Sequence, residues 1–197
     1  MQLGIVLLAG PLNRLFSRFH KAVLFRKAHG ITVFFVALAH SVISFFFLPE
    51  HFPRERFFTY GFWPFFFGLI GIALLFFLFC ISNQWAMQKI GPERWWRLQQ
   101  WGARGVFLLV FFHMFVMKWR QWLSWYQTGG SAELRHPEWP GAGLLTGWFL
   151  ACIIAIRLAE AVHHRLGRAV VIASCILLPA LYVLSFWWGS TIEAKPL

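Results

Sequence analysis

Five long apolar runs alternate with short polar or basic stretches along this chain. They cover about Gly30–Leu48, Phe62–Ile81, Ala103–Lys118, Ala142–Ala159 and Ala169–Trp188. Each comes close to the roughly 20 residues that a helix needs to cross bilayer hydrocarbon. In that medium a backbone must satisfy its own hydrogen bonds, so each run is predicted to be helical. The expected fold is all-α: a polytopic membrane helix bundle of about five full transmembrane helices plus a short N-terminal apolar segment. One membrane domain is expected over residues 1–197. Within it, residues 1–29 form a short apolar segment and a basic surface stretch, residues 30–188 the bundle, and residues 119–141 an aromatic outer loop.

The punctuation between runs supports this division. Met1–Gly10 is too short to cross alone and is expected to be a half-span or an interfacial segment. It lacks a basic leading region and a small-residue cleavage motif, so no signal peptide is expected. Pro49, Glu50, His51 and Pro53 close the first run, because proline cannot continue helical hydrogen bonding. Gly91-Pro92 breaks the loop Ser82–Gly102. Gly68 and Gly71 in the second run leave room for a neighbouring helix to come close. Trp119, Trp122, Trp125, Tyr126 and Trp139 mark Trp119–Gly141 as a segment lying in the membrane interface, where amphipathic rings gather.

Composition agrees with the pattern. Apolar residues make up 59% of the chain and charged residues only 13%, against about 25% charged in a soluble domain. Cohesion must then come from helix packing, buried polar contacts and any cofactor. The net charge is +11, and all seven acidic residues are glutamate. The basic residues flank apolar runs instead of forming one patch, so they are expected to meet anionic lipid and not nucleic acid. Twelve of the 18 Lys and Arg residues fall in the alternate loops that hold Arg14–Lys27, Lys89–Arg104 and Arg157–Arg168. That side is expected to be cytoplasmic. Cys80, Cys152 and Cys175 show no CxxC spacing and read as small buried hydrophobes. The chain has no phosphate loop, catalytic triad, HExxH, nicotinamide or flavin fingerprint, and no paired broken helices of the transporter kind.

Two histidines lie inside apolar runs. His40 follows Gly30 by ten residues and His113 follows Ala103 by ten. At about 1.5 Å rise per residue both imidazoles sit roughly 15 Å above the cytoplasmic edge. A single intramembrane histidine is as readily a hydrogen-bond partner of a neighbouring helix as a ligand. Two at matched depth on different helices favour ligation of a planar cofactor, and imidazole nitrogen suits haem iron. The other histidines carry less. His20 and His29 flank the basic segment, within reach of lipid headgroups or a cofactor propionate. His51 and His136 lie in outer loops. His163 and His164 read as a solvated helix end in preference to a metal or quinone contact, with Glu160 paired to a nearby arginine.

At this point the chain resembles a known family. Arg26-Lys27-Ala28-His29-Gly30, followed by a run with His40, is similar to the lead-in to the first haem-ligating helix of the ferric-reductase-like transmembrane family. Ser82-Asn83-Gln84-Trp85-Ala86-Met87-Gln88-Lys89-Ile90-Gly91 and then Trp95-Trp96-Arg97-Leu98 resemble that family's serine-rich turn and the start of its second haem helix. Leu8-Ala9-Gly10-Pro11-Leu12 looks like the end of the preceding helix, which is shorter here. His113 falls where the family places its outer ligand. The resemblance covers residues 7–120 or so. It is nearest to the branch that provides the haem-binding membrane subunit of bacterial periplasmic methionine sulfoxide reductase systems.

The resemblance implies a b-type cytochrome of the bacterial inner membrane, with His40 and His113 as axial ligands of one haem b. The family's further histidine falls at Gln99 or Gln100 here, and its partner position near Arg26 or Lys27, so the second, inner haem site is expected to be lost. Arg26, Lys27, Arg97 and Arg104 are then mainly topological. The family implies a quinol or flavoprotein as electron donor and a protein or metal on the outer side as acceptor. With a single haem, a donor within the membrane is favoured. The alternative expectation is a haem-free structural or assembly subunit of a larger membrane complex.

Overall fold

A computed structural model describes residues 2–16, 25–48, 53–59, 61–129, 136 and 138–192. His20, His51 and most of the basic stretch before Phe25 lie outside the described residues, as does the Arg26 side chain. The described chain is helical without strands, and five of its helices are long and apolar enough to cross a membrane. It divides into two compact units, residues 2–116 and 117–197.

The first unit begins with α1 (Gln2–Leu15) and α2 (Arg26–Val42), which passes into a π-helical turn, Ile43–Phe47. A short α3 (Arg54–Phe57) leads to α4 (Phe62–Cys80), then α5 (Gln84–Ile90) and the first part of α6 (Pro92–Thr128). α1 packs on α2, and α2 on α4. Val33, Phe34, Leu75, Leu78 and Val106 form a buried cluster between α2, α4 and α6. The turn from α4 to α5 is tied down locally. Asn83 caps α5 by accepting from the Ala86 amide at 2.8 Å, and Trp95 Nε1 donates to the Ile81 carbonyl at 2.6 Å.

Two boundaries differ from expectation. α1 runs on through Pro11, which is buried inside the helix, to Leu15. Its 14 residues span about 21 Å at 1.5 Å each, short of the roughly 30 Å of hydrocarbon. The third run is not limited to Ala103–Lys118. α6 is one helix of 37 residues, bounded by Gly91 and Gly129, both at positive φ. Hydropathy registers only the part immersed in lipid. The flanking Arg, Gln and Trp residues are compatible with helix, and no proline interrupts them.

In the second unit α7 (Ala142–Val162) and α8 (His164–Thr191) form a hairpin joined by His163 alone. His163 is extended, and its Nδ1 caps α8 by accepting from the Arg165 amide at 3.2 Å. The two helices nearly touch there, since a β-carbon on Gly167 would lie 3.0 Å from Glu160 Cα. Glu160 pairs with Arg157 at 2.9 Å. Farther along, Trp148 Nε1 donates to Ser185 Oγ at 3.2 Å and the Tyr182 hydroxyl to the Leu145 carbonyl at 3.1 Å.

The first part of the aromatic stretch is helix and not loop. Residues through Thr128 continue α6. The Trp122 ring fills the space beside Gly147, 3.0 Å from where a β-carbon would stand, and Trp125 is buried against Gly189. These rings pack on the hairpin, because small residues at those positions admit them. Trp139 remains exposed, stacked on His136 at 4.2 Å. Cys152 is buried as expected, but Cys80 and Cys175 are exposed. Both belong to helix faces that are apolar and suited to lipid.

Candidate functional site

The site residues are set by how α4 and α6 pair. The helices run antiparallel with small residues at the contacts. Leu78 lies against Gly102, Leu74 against Gly105, Leu109 against Gly71, and His113 against Gly68. Each turn gained on α6 is a turn lost on α4, so the register is continuous up to His113. The close approach expected at Gly68 and Gly71 is present at both.

His113 is half-buried, and its Nδ1 lies 2.7 Å from the Pro64 carbonyl oxygen. A carbonyl oxygen only accepts, so the proton belongs to Nδ1. Nε2 then carries the free lone pair and is the nitrogen available to a metal. Pro64 stands in the first turn of α4, where a missing amide hydrogen costs little.

His40 sits on α2, whose Phe34 stacks on Phe79 at 4.6 Å and lies 6.0 Å from Phe76. Six residues beyond Phe34, about 9 Å along the axis, His40 reaches the level of residues 70–73 of α4. His113 lies at Gly68, so the two imidazoles are within about one helical turn of each other in height. The His40 side chain is exposed. The π-helical turn begins three residues after it. Two imidazoles from two helices, one with a defined free nitrogen, are of a chemical type that could hold an iron.

The other end of the same helices is different. Gln99 is held by its amide nitrogen, 3.3 Å from the Leu78 carbonyl and 3.2 Å from Ser82 Oγ. It borders a cavity of about 140 Å³ whose polar wall includes Lys27, Ser82 and Gln100. None of these is an iron ligand of the kinds that hold haem. No group of three or more His, Cys, Asp or Glu side chains that could hold a metal ion occurs among the described residues.

The remaining predicted residues have local roles. His29 Nδ1 contacts the Phe25 carbonyl within its own helix turn at 2.9 Å. His136 pairs with Glu138 at 3.2 Å. Arg104 lies over the Trp101 ring at 4.6 Å, a cation–π contact. Arg97 is exposed. What sequence reasoning missed is the seat of His113 on Pro64 and Gly68. The only signal for it was a glycine suited to close approach, without indication of what approaches.

Among known families, the ferric reductase like transmembrane component matches residues 1–110. The match includes His40 and stops three residues before His113. No curated protein and no solved structure matches the chain significantly. Members of this family commonly bind haem and serve in membrane electron transfer. The matched residues take in more than half of the chain, including α1, α2, α4 and about half of α6, and on that ground this multi-pass membrane protein belongs to the ferric-reductase-like transmembrane family.

Proposed function

We propose that this protein is a b-type cytochrome, an electron carrier of the bacterial inner membrane in which His40 and His113 hold one haem b. The observation that carries the reading is the Nδ1 contact of His113 with the Pro64 carbonyl. It leaves Nε2 for ligation, with the His40 imidazole on another helix within about one helical turn of the same height. A bound haem supplies a one-electron iron couple whose potential follows from its axial ligands and burial. The chain supplies the two imidazoles, the carbonyl that orients one of them, and apolar walls that keep water away.

The reading includes no second, inner haem: Gln99 is engaged with Leu78 and Ser82, and no histidine is among the described residues that line the cavity beside it. One haem favours a donor that reaches it within the membrane, a quinol in preference to a flavoprotein, with an acceptor protein on the outer side. The basic loops then face the cytoplasm, by the excess of Lys and Arg among them. The sequence signals support kinship with the haem-binding membrane subunits of periplasmic methionine sulfoxide reductase systems, within a single domain over residues 1–197.

The test is a reduced-minus-oxidised visible spectrum with haem quantification on the detergent-purified full chain. A b-type band at about one haem per chain is expected from a pair of axial imidazoles, lost in both His40→Ala and His113→Ala. Full haem in both variants would sink the ligand assignment. No haem in well-folded wild-type protein would favour the other reading, a structural or assembly subunit of a larger complex.

A further inference from the structure

Pro64 and Gly68 are four residues apart on α4, so they lie one above the other on a single face. The His113 ring rests across both. Its Nδ1 is 2.7 Å from the Pro64 oxygen and 3.0 Å from the place of a β-carbon on Gly68, with Cε1 at 3.3 Å from the same place. Both distances to that point are tighter than ordinary van der Waals contact. Any side chain at position 68 would press on Nδ1, which makes the hydrogen bond, and on the adjoining Cε1. The neighbouring Gly71 is different, since a β-carbon there would meet Leu109 Cβ at a comfortable 3.7 Å. Helix packing alone would be satisfied by alanine at both positions. The requirement for glycine at 68 comes from the imidazole.

We propose that Gly68 and the Pro64 carbonyl form a seat that holds the His113 ring as its Nδ1–H tautomer, with Nε2 as the ligating nitrogen, and that Gly68 is the positioning residue that sets the strength of this ligand. The proposal rests on the haem reading for its second half only. The tautomer belongs to the protein itself. The physical basis is general: a metal-bound histidine that donates its other N–H to a carbonyl is fixed in orientation and made more basic, and losing such a contact costs about 10- to 100-fold in affinity. A more basic imidazole also favours the ferric state, so weakening the contact raises the midpoint potential.

Two measurements test it. Nitrogen-15 NMR of histidine-labelled protein without haem reads the His113 tautomer, assigned by its loss in His113→Gln. Protonation at Nδ1 in wild type and in Gly71→Ala, and its loss in Gly68→Ala, are expected. A wild-type His113 protonated at Nε2 would overturn the seat, whether or not Gly68→Ala folds. In the haem-loaded protein, Gly68→Ala is expected to bind haem about 10- to 100-fold more weakly. Its midpoint potential should rise and its low-spin electron paramagnetic resonance signature should change, while Gly71→Ala matches wild type. Unaltered affinity, potential and signature in Gly68→Ala would reject the role of Gly68 even with His113 a ligand. Absence of haem from wild type would reject the cytochrome reading and the ligand half of the seat, leaving the tautomer to be decided by NMR.

Discussion

Leu78 occupies the space that a β-carbon on Gly102 would need, with its Cδ2 2.5 Å from that point. Cδ1 and Cγ crowd the same point at 3.0 and 3.1 Å, so the whole isobutyl group would have to move. Leu78 belongs to the buried cluster with Val106 and Phe34, which limits where it can go. Gly102→Ala should therefore destabilise the first unit by about 1–3 kcal/mol, as overpacking does. Gly30→Ala is the contrast, because nothing lies within 4 Å of the added carbon. It should be neutral or stabilising by about 0.5–1 kcal/mol through helix propensity. Thermal unfolding in detergent, followed by helicity, separates the two.

The α7–α8 hairpin carries buried polar contacts of a different kind. Ser185 is 3% exposed, accepts from Trp148 Nε1 and donates to the Leu181 carbonyl at 2.7 Å. Replacing it by alanine strands the indole N–H. A loss of about 0.6–1.7 kcal/mol is expected, the range of hydrogen bonds between membrane helices. Tyr182→Phe, which removes the bond to the Leu145 carbonyl, should fall in the same range. Equilibrium unfolding in mixed micelles would show it, and a loss above about 3 kcal/mol for either would mean that something besides one hydrogen bond was removed.

The turn of that hairpin leaves no slack. A β-carbon on Gly167 would meet Glu160 backbone as well as its side chain, and backbone cannot rotate aside. Gly167→Ala should open the turn and reduce the yield of folded protein more than His163→Ala does. The latter removes one cap, worth about 1 kcal/mol, and His163→Asn should restore most of it because asparagine also caps well. Comparing the folded fractions of the three variants after extraction checks the order. Equal yields for Gly167→Ala and wild type would show that the helices separate there without penalty.

Gln99→His places an imidazole at the end of α6 where the family resemblance expects one. The cavity it borders is small, about 140 Å³, and is lined by Lys27 and Ser82 but by no imidazole among the described residues. Haem content should stay at about one per chain, since a b-type centre of this kind needs two axial ligands. Loss of the Gln99 contacts to Leu78 and Ser82 should lower the unfolding temperature slightly. Two haems per chain in this single variant would show that a ligand had been overlooked at that end.

The membrane class, the five crossing helices and the two candidate ligands were legible in the residues themselves. A crossing helix is a local property: it needs enough consecutive apolar residues and must satisfy its own backbone, so hydropathy alone marks it. Intramembrane histidines stand out for the same reason, because little else at that depth is polar. The limits of the helices were less legible. α6 extends 11 residues before Ala103 and ten beyond Lys118, since arginine, glutamine and tryptophan continue a helix as readily outside the hydrocarbon as leucine does within it. Pro11 likewise looked like an end and lies inside α1.

Tertiary structure alone decided what the polar atoms meet. That His113 rests on Pro64 and Gly68, that Gln99 is held by Leu78 and Ser82, and that Trp122 and Trp125 pack on Gly147 and Gly189 all depend on helix pairing. These contacts join residues 17 to 64 positions apart in sequence. A slip of one residue along α6 would turn a helical side chain through about 100° and carry His113 off its seat. Sequence periodicity records that a face is apolar and that a glycine permits approach. Which atom fills the space is settled only when two helices choose a register, because short-range contact energies act on distances that the chain pattern does not contain.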